Sequence, residues 1–96
     1  MRIRRLVLDV DKAFAQPSLL DVAAAIDKVA GVQAFNIHVE EVDMETISTL
    51  ITVEGDDIDY AALVYAIEYS GAMMHGILEL SVGERVIETL IKRGNR

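Results

Sequence analysis

GDDIDYAALVYAIEYSGAMMHGILELSV, residues Gly55 to Val82, holds in order an acidic turn, a nearly wholly apolar helix, a glycine stop and a strand. Asp56 or Asp57 is placed to cap the helix by accepting the unpaired N–H groups of its first turn, and Asp59 adds negative charge where the helix dipole favours it. Gly71 can take the left-handed conformation that closes helices. Tyr60, Leu63, Val64 and Ile67 recur at the three-to-four spacing that buries one side of a helix. Ile58, Ala62, Tyr65 and Tyr69 share a second side, so the helix is apolar almost all round and is expected to be covered twice. A chain of 96 residues offers little to supply the second cover. Another copy of the chain is the simplest source, which makes Tyr65 and Tyr69 candidate interface residues. The alternative is that both rings lie on the surface with wet hydroxyls.

Ahead of this stretch, IRRLVLDV (Ile3 to Val10) has β-branched and Leu residues and no breaker, and is expected to be a buried strand. Leu6, Leu8 and Val10 share one face and Arg5, Val7 and Asp9 the other. A turn from Asp11 to Pro17 leads to a helix capped by Ser18. Its apolar residues are Leu19, Val22, Ala23, Ile26 and Val29, and Gly31 closes it. Val32 to Val42 alternates, with Phe35, Ile37 and Val39 on one face and Asn36, His38 and Glu40 on the other. Thr46 to Glu54 returns as a hairpin partner with Ile47, Ile51 and Val53 inward. After the apolar helix, Ala72 to Val82 is a fourth strand, with Met74, Leu78, Leu80 and Val82 on one face and Met73, His75, Ile77 and Glu79 on the other.

The order β-α-β-β-α-β is met most simply by an α+β, two-layer ferredoxin-like sandwich. Its sheet is antiparallel with order 4-1-3-2, and both helices lie on one face. Residues 1–82 make one domain. The tail 83–96 is open between a short helix, since Ser81 and Glu84 have capping-box spacing ahead of Ile87, Leu90 and Ile91, and an extension of the last strand.

Composition narrows the function classes. Apolar residues are 52% of the chain and aromatics 5%, so the core must be aliphatic. No run is long enough to span a bilayer and no signal peptide is evident, so a cytoplasmic protein is expected. Cys is absent, which removes disulfides, thiolate metal sites and a cysteine nucleophile. Sixteen acidic against nine basic residues, a net charge of −7, repel phosphate backbones, so neither nucleic acid nor membrane is expected as a partner. No GxSxG elbow, phosphate-binding glycine loop or HExxH motif is present, so catalysis ranks last; an enzyme of unknown reaction would use Asp9 or His75.

Several of these blocks resemble a known family. The strand VLDVDK, the Gly31-Val32 pair before the strand carrying Asn36, the hairpin EEVDMET, the block ITVEGDDIDYAALVYAIEYSGA and the following His75 are similar, in residues and spacing from about Leu6 to Leu80, to the archaeal domain of unknown function 211. The resemblance implies a ferredoxin-like fold and ring-like homo-oligomers, sometimes with calcium. The first loop, DKAFAQPSL, and the segment ILEL after His75 depart from the family pattern.

In this topology the first two strands end and the last two begin at one edge, which gathers Asp9, Asp11, Glu40, Glu41, Asp43 and Glu45. Oxygen ligands of this kind suit Ca²⁺ or Mg²⁺, with Asp9, Asp11, Asp43 and Glu45 as the expected metal ligands. A solvated acidic rim is the alternative. At the opposite end Arg2, Arg4 and Arg5 are expected near Glu54 and Asp56. Asn36, His38 and His75 are candidate ligand or interface residues on the sheet's open face. His38 and His75 fall on opposite edge strands, about 14 Å apart at about 4.8 Å per strand, and could share a ligand only across a contact between copies. Within one chain His75 is expected to bond Asp9. The leading expectation is a non-catalytic, homo-oligomeric small-ligand-binding or regulatory module. The second is a ring-like assembly holding Ca²⁺ or Mg²⁺.

Overall fold

The computed structural model describes residues 1–89. The elements run β1 (Ile3–Ala13), α1 (Leu19–Asp27), β2 (Val32–Val42), β3 (Thr46–Gly55), α2 (Tyr60–Tyr69) and β4 (Met73–Val82). The strands form one antiparallel sheet in the order β2-β3-β1-β4, the expected order read from the other edge. Both helices cover one face, because the inward positions of the strands are apolar at every second residue and only that face can be buried. Leu6, Leu8, Ile51 and Val53 from the strands meet Val22, Ile26, Leu63 and Ile67 from the helices, and none of the eight is more than 2% exposed. Thr49, inward among these, is satisfied by donating its hydroxyl to the Val10 carbonyl at 2.7 Å.

Ser18 caps α1 as expected, in a reciprocal capping box. Its hydroxyl accepts from the Asp21 N–H while the Asp21 carboxylate accepts from the Ser18 N–H, both at 3.0 Å. Ser18→Ala is expected to cost about 1 kcal/mol in urea unfolding; a loss below about 0.3 kcal/mol would mean that α1 is held by packing alone.

Five expectations are corrected. Asp59, not Asp56 or Asp57, caps α2, accepting from the Ala62 N–H at 3.0 Å. The two earlier aspartates sit in the turn that carries the chain from β3 over to α2. Ile58 is not on the outer side of α2: it precedes the helix, is 2% exposed, and donates its N–H to the Ile3 carbonyl. β1 continues three residues past Val10, because Asp11, Lys12 and Ala13 pair with Ser48, Ile47 and Thr46. β4 is not a simple alternation. Register shifts skip His75 and Leu78, so Ile77 pairs with inward Leu8 while Leu78 stands out on the open face, 62% exposed. Each skipped residue flips the phase of the rest of the strand, which no period-2 reading can foresee. Finally, residues 83–89 are neither helix nor strand, and Ser81 lies inside β4, which ends at Val82, instead of capping a helix. Leu90 and Ile91 lie outside the described residues.

Candidate functional site

The charge-balanced end forms as expected. Arg5 faces Glu54 directly across the β1–β3 ladder, and one guanidinium gathers three carboxylates: Nε to Glu54 at 2.8 Å, Nη1 to Glu79 at 3.2 Å, and Nη1 and Nη2 to the two oxygens of Glu88 at 3.1 and 3.0 Å. The Arg5 hydrogen bond holds the Glu88 carboxyl below its ordinary range, and the same bond raises Arg5. The tail is thereby tied back to the sheet. Arg2 and Arg4 both donate to Asp56, and the Arg2 bond lowers the Asp56 carboxyl.

The acidic edge is divided. Asp9 lines a hollow of about 370 Å³ on the open face with Glu40, Glu41, Ser48, Leu50 and Leu78. Asp43 is turned inward on its own loop, its Oδ1 accepting the Met44 N–H at 2.7 Å. Asp11 and Glu45 line a separate cleft. The four expected metal ligands are thus spread over two recesses and a turn. Among the described residues no group of three or more His, Asp or Glu side chains is gathered closely enough to hold a metal ion.

The separate cleft, about 530 Å³, is bounded by the end of β1, the start of β3, the Gly71 turn after α2 and the start of β4. His75 reaches it because the register shift in β4 frees it from the ladder. Its Nε2 lies 3.0 Å from Oδ2 of Asp11, not of Asp9 as expected, since Asp9 stands opposite Gly76. Next in β1, on the inward side of the sheet, Lys12 is 6% exposed, its Nζ donating to the carbonyls of Ala13 at 2.7 Å and Phe14 at 3.1 Å. Lys12 is a buried charged residue that its position at a strand end does not single out. A signal for it exists: position 12 continues the inward series 6, 8, 10 once β1 is given its full length.

Asn36 and His38 are exposed on β2, opposite Thr52 and Leu50. The nearest carboxylate to His38 is Glu40, at 3.8 Å, and β2 and β4 are the two edges of the sheet, so His38 and His75 do not meet. Tyr65 and Tyr69 stack on each other with ring centroids 5.6 Å apart, 68% and 80% exposed. Among the described residues nothing covers them.

The four-stranded antiparallel sheet backed by two helices, with its polar cleft at one end, makes this a ferredoxin-like α+β protein. Among the described residues no helix is long and apolar enough to cross a membrane. The chain belongs to the family described as uncharacterised ArCR, domain of unknown function 211, which it matches over residues 4–95. It is 35% identical over 86 residues to the uncharacterised protein MJ0319 of Methanocaldococcus jannaschii, covering 90% of this chain and 88% of that one.

Proposed function

We propose that this protein is a cytoplasmic, non-catalytic, homo-oligomeric small-ligand-binding or regulatory module. The cleft carries the reading. Its roughly 530 Å³ lies in the range of small-molecule sites, and polar side chains from three places in the chain, Asp11 on β1, Glu45 ahead of β3 and His75 on β4, are among the residues that line it. Self-association is supported by apolar surface that is exposed among the described residues: Tyr65 and Tyr69 on α2, and Ile77, Leu78, Leu80 and Val82 on β4, an edge strand of the described sheet.

A second reading is favoured by one observation, the hollow that Asp9, Glu40 and Glu41 line on the open face. Ca²⁺ or Mg²⁺ there would find oxygen donors, but the carboxylates of the described residues do not form a cage, so further ligands, as from another copy, would be needed.

Light-scattering mass of the full chain, with EDTA and then with calcium restored, separates the two. A multiple of the 10.6 kDa chain that is unchanged by EDTA is expected from apolar contacts. A mass that falls on chelation and recovers with calcium would transfer the assembly to the cation reading. A monomer in both conditions would remove self-association altogether.

A further inference from the structure

We infer that Glu84 to Thr89 form a detachable strap, clipped onto Arg5 by Glu88, that covers the Ser81 end of the β4 edge and so opposes pairing of that edge with a second copy of the chain. This rests on the self-association reading and gives it a control. β4 runs toward Ile3, and at Gly83, with φ +121° and its N–H held by the Arg2 carbonyl at 2.8 Å, the chain turns back. Beyond that bond the segment makes no backbone–backbone hydrogen bond among the described residues. Side chains fasten it: Glu84 stands 3.9 Å from Arg2, and Glu88 presents both oxygens to Arg5 at 3.1 and 3.0 Å. Ser81 lies opposite Arg5 on the open face, where no helix covers the sheet, yet it is 9% exposed although β4 is an edge strand.

A fastening of this kind is easily undone. The Glu84 and Glu88 side chains are 92% and 68% exposed, so water competes for both carboxylates, and Arg5 keeps Glu54 and Glu79 when Glu88 leaves. Opening therefore strands no buried charge. Ile87 does not seal the contact: it is 73% exposed and lines, with Leu80, Ser81 and Val82, a recess of about 190 Å³. Opening uncovers a strand edge flanked by Leu80 and Val82, 49% and 42% exposed. A second copy is the occupant that fits this edge. Its own β4 supplies the ladder hydrogen bonds that the strap, which is not a strand, does not, and a twofold axis sets the same apolar residues against each other. Strap and copy compete for one edge.

The test reads two quantities in the full chain and in Glu88→Gln and Glu88→Lys, which change an exposed side chain and leave the core intact. Trypsin cleavage after Arg85, followed by mass spectrometry at a dilution where the wild type is dissociated, reports how often the strap is open. A dilution series of light-scattering mass, carried to full dissociation, reports self-association. Glu88→Gln is expected to speed the cleavage about fivefold, and Glu88→Lys, which Arg5 repels, about tenfold or more. An edge must be uncovered before it pairs, so the dissociation constant of the assembly should fall by at least the same factor in each variant. Circular dichroism checks that both fold. Cleavage at the wild-type rate in both variants would overturn the strap. Faster cleavage with an assembly unchanged or weakened would overturn its control of the β4 edge and leave self-association standing. Monomers at every concentration in all three proteins would overturn the inference and the self-association reading together.

Discussion

Gly55→Ala should remove most of the stability of the protein, by about 4 kcal/mol or more in urea unfolding. A Cβ at position 55 would stand 1.8 Å from the carbonyl oxygen of Gly31 and 3.1 Å from the backbone nitrogen of Gln33. Both obstacles are main chain, so neither can rotate aside as a side chain would. Gly31 itself sits at φ +89°, and a Cβ there would lie 2.4 Å from the Asp57 carbonyl oxygen. The two glycines let the chain leaving α1 pass in contact with the chain leaving β3. The contact is functional for the fold: the Asp56 N–H reaches the Gly31 carbonyl at 2.9 Å and the Asp59 N–H reaches the Ala30 carbonyl at 3.1 Å. An alanine must push β2 from β3 or break these bonds. A loss smaller than about 1 kcal/mol would show that this crossing relaxes easily and that its tightness is not what sets the β2 register.

Leu63→Ala is expected to cost about 2–5 kcal/mol. Leu63 is 0% exposed in the layer between α2 and the sheet, and its removal leaves a cavity that a four-stranded sheet with a helix pinned at both ends closes poorly. Tyr65, two residues on, is the contrast. At 68% exposure Tyr65→Ala should change the stability of an isolated chain by no more than about 0.5 kcal/mol. Should Tyr65→Ala instead lower the midpoint as much as Leu63→Ala, in a concentration-dependent way, the ring is buried between copies. Chemical unfolding at several protein concentrations reads both variants.

The cleft shows how a site can be half visible in a sequence. Asp11, Glu45 and His75 all stand out in the sequence, but charge groups the two acids with Asp9 and Asp43, and the fold regroups them. Asp9 and Asp11 share the open face of β1, yet one stands opposite Gly76, its carboxylate without a hydrogen-bond partner among the described residues, while the other meets His75. That difference is made by the register shift between Gly76 and Met74, a property of two strands together. Lys12 is hidden for a related reason. Charged residues at strand ends are ordinarily solvated, and only the three extra residue pairs of the β1–β3 ladder carry the inward series as far as position 12.

The element order, the inward faces of β1, β2 and β3, the Ser18 cap and the α2 core positions Leu63 and Ile67 arise from the chain's own pattern. Each depends on interactions between residues a few positions apart, which period and capping chemistry read directly. Where β1 stops, which way Leu78 and His75 point, which aspartate His75 holds and what lies beside Lys12 were settled in three dimensions. Those depend on pairing between segments more than thirty residues apart, as between Asp11 and Ser48 or between Asp11 and His75, and a single skipped residue there exchanges one face of a strand for the other.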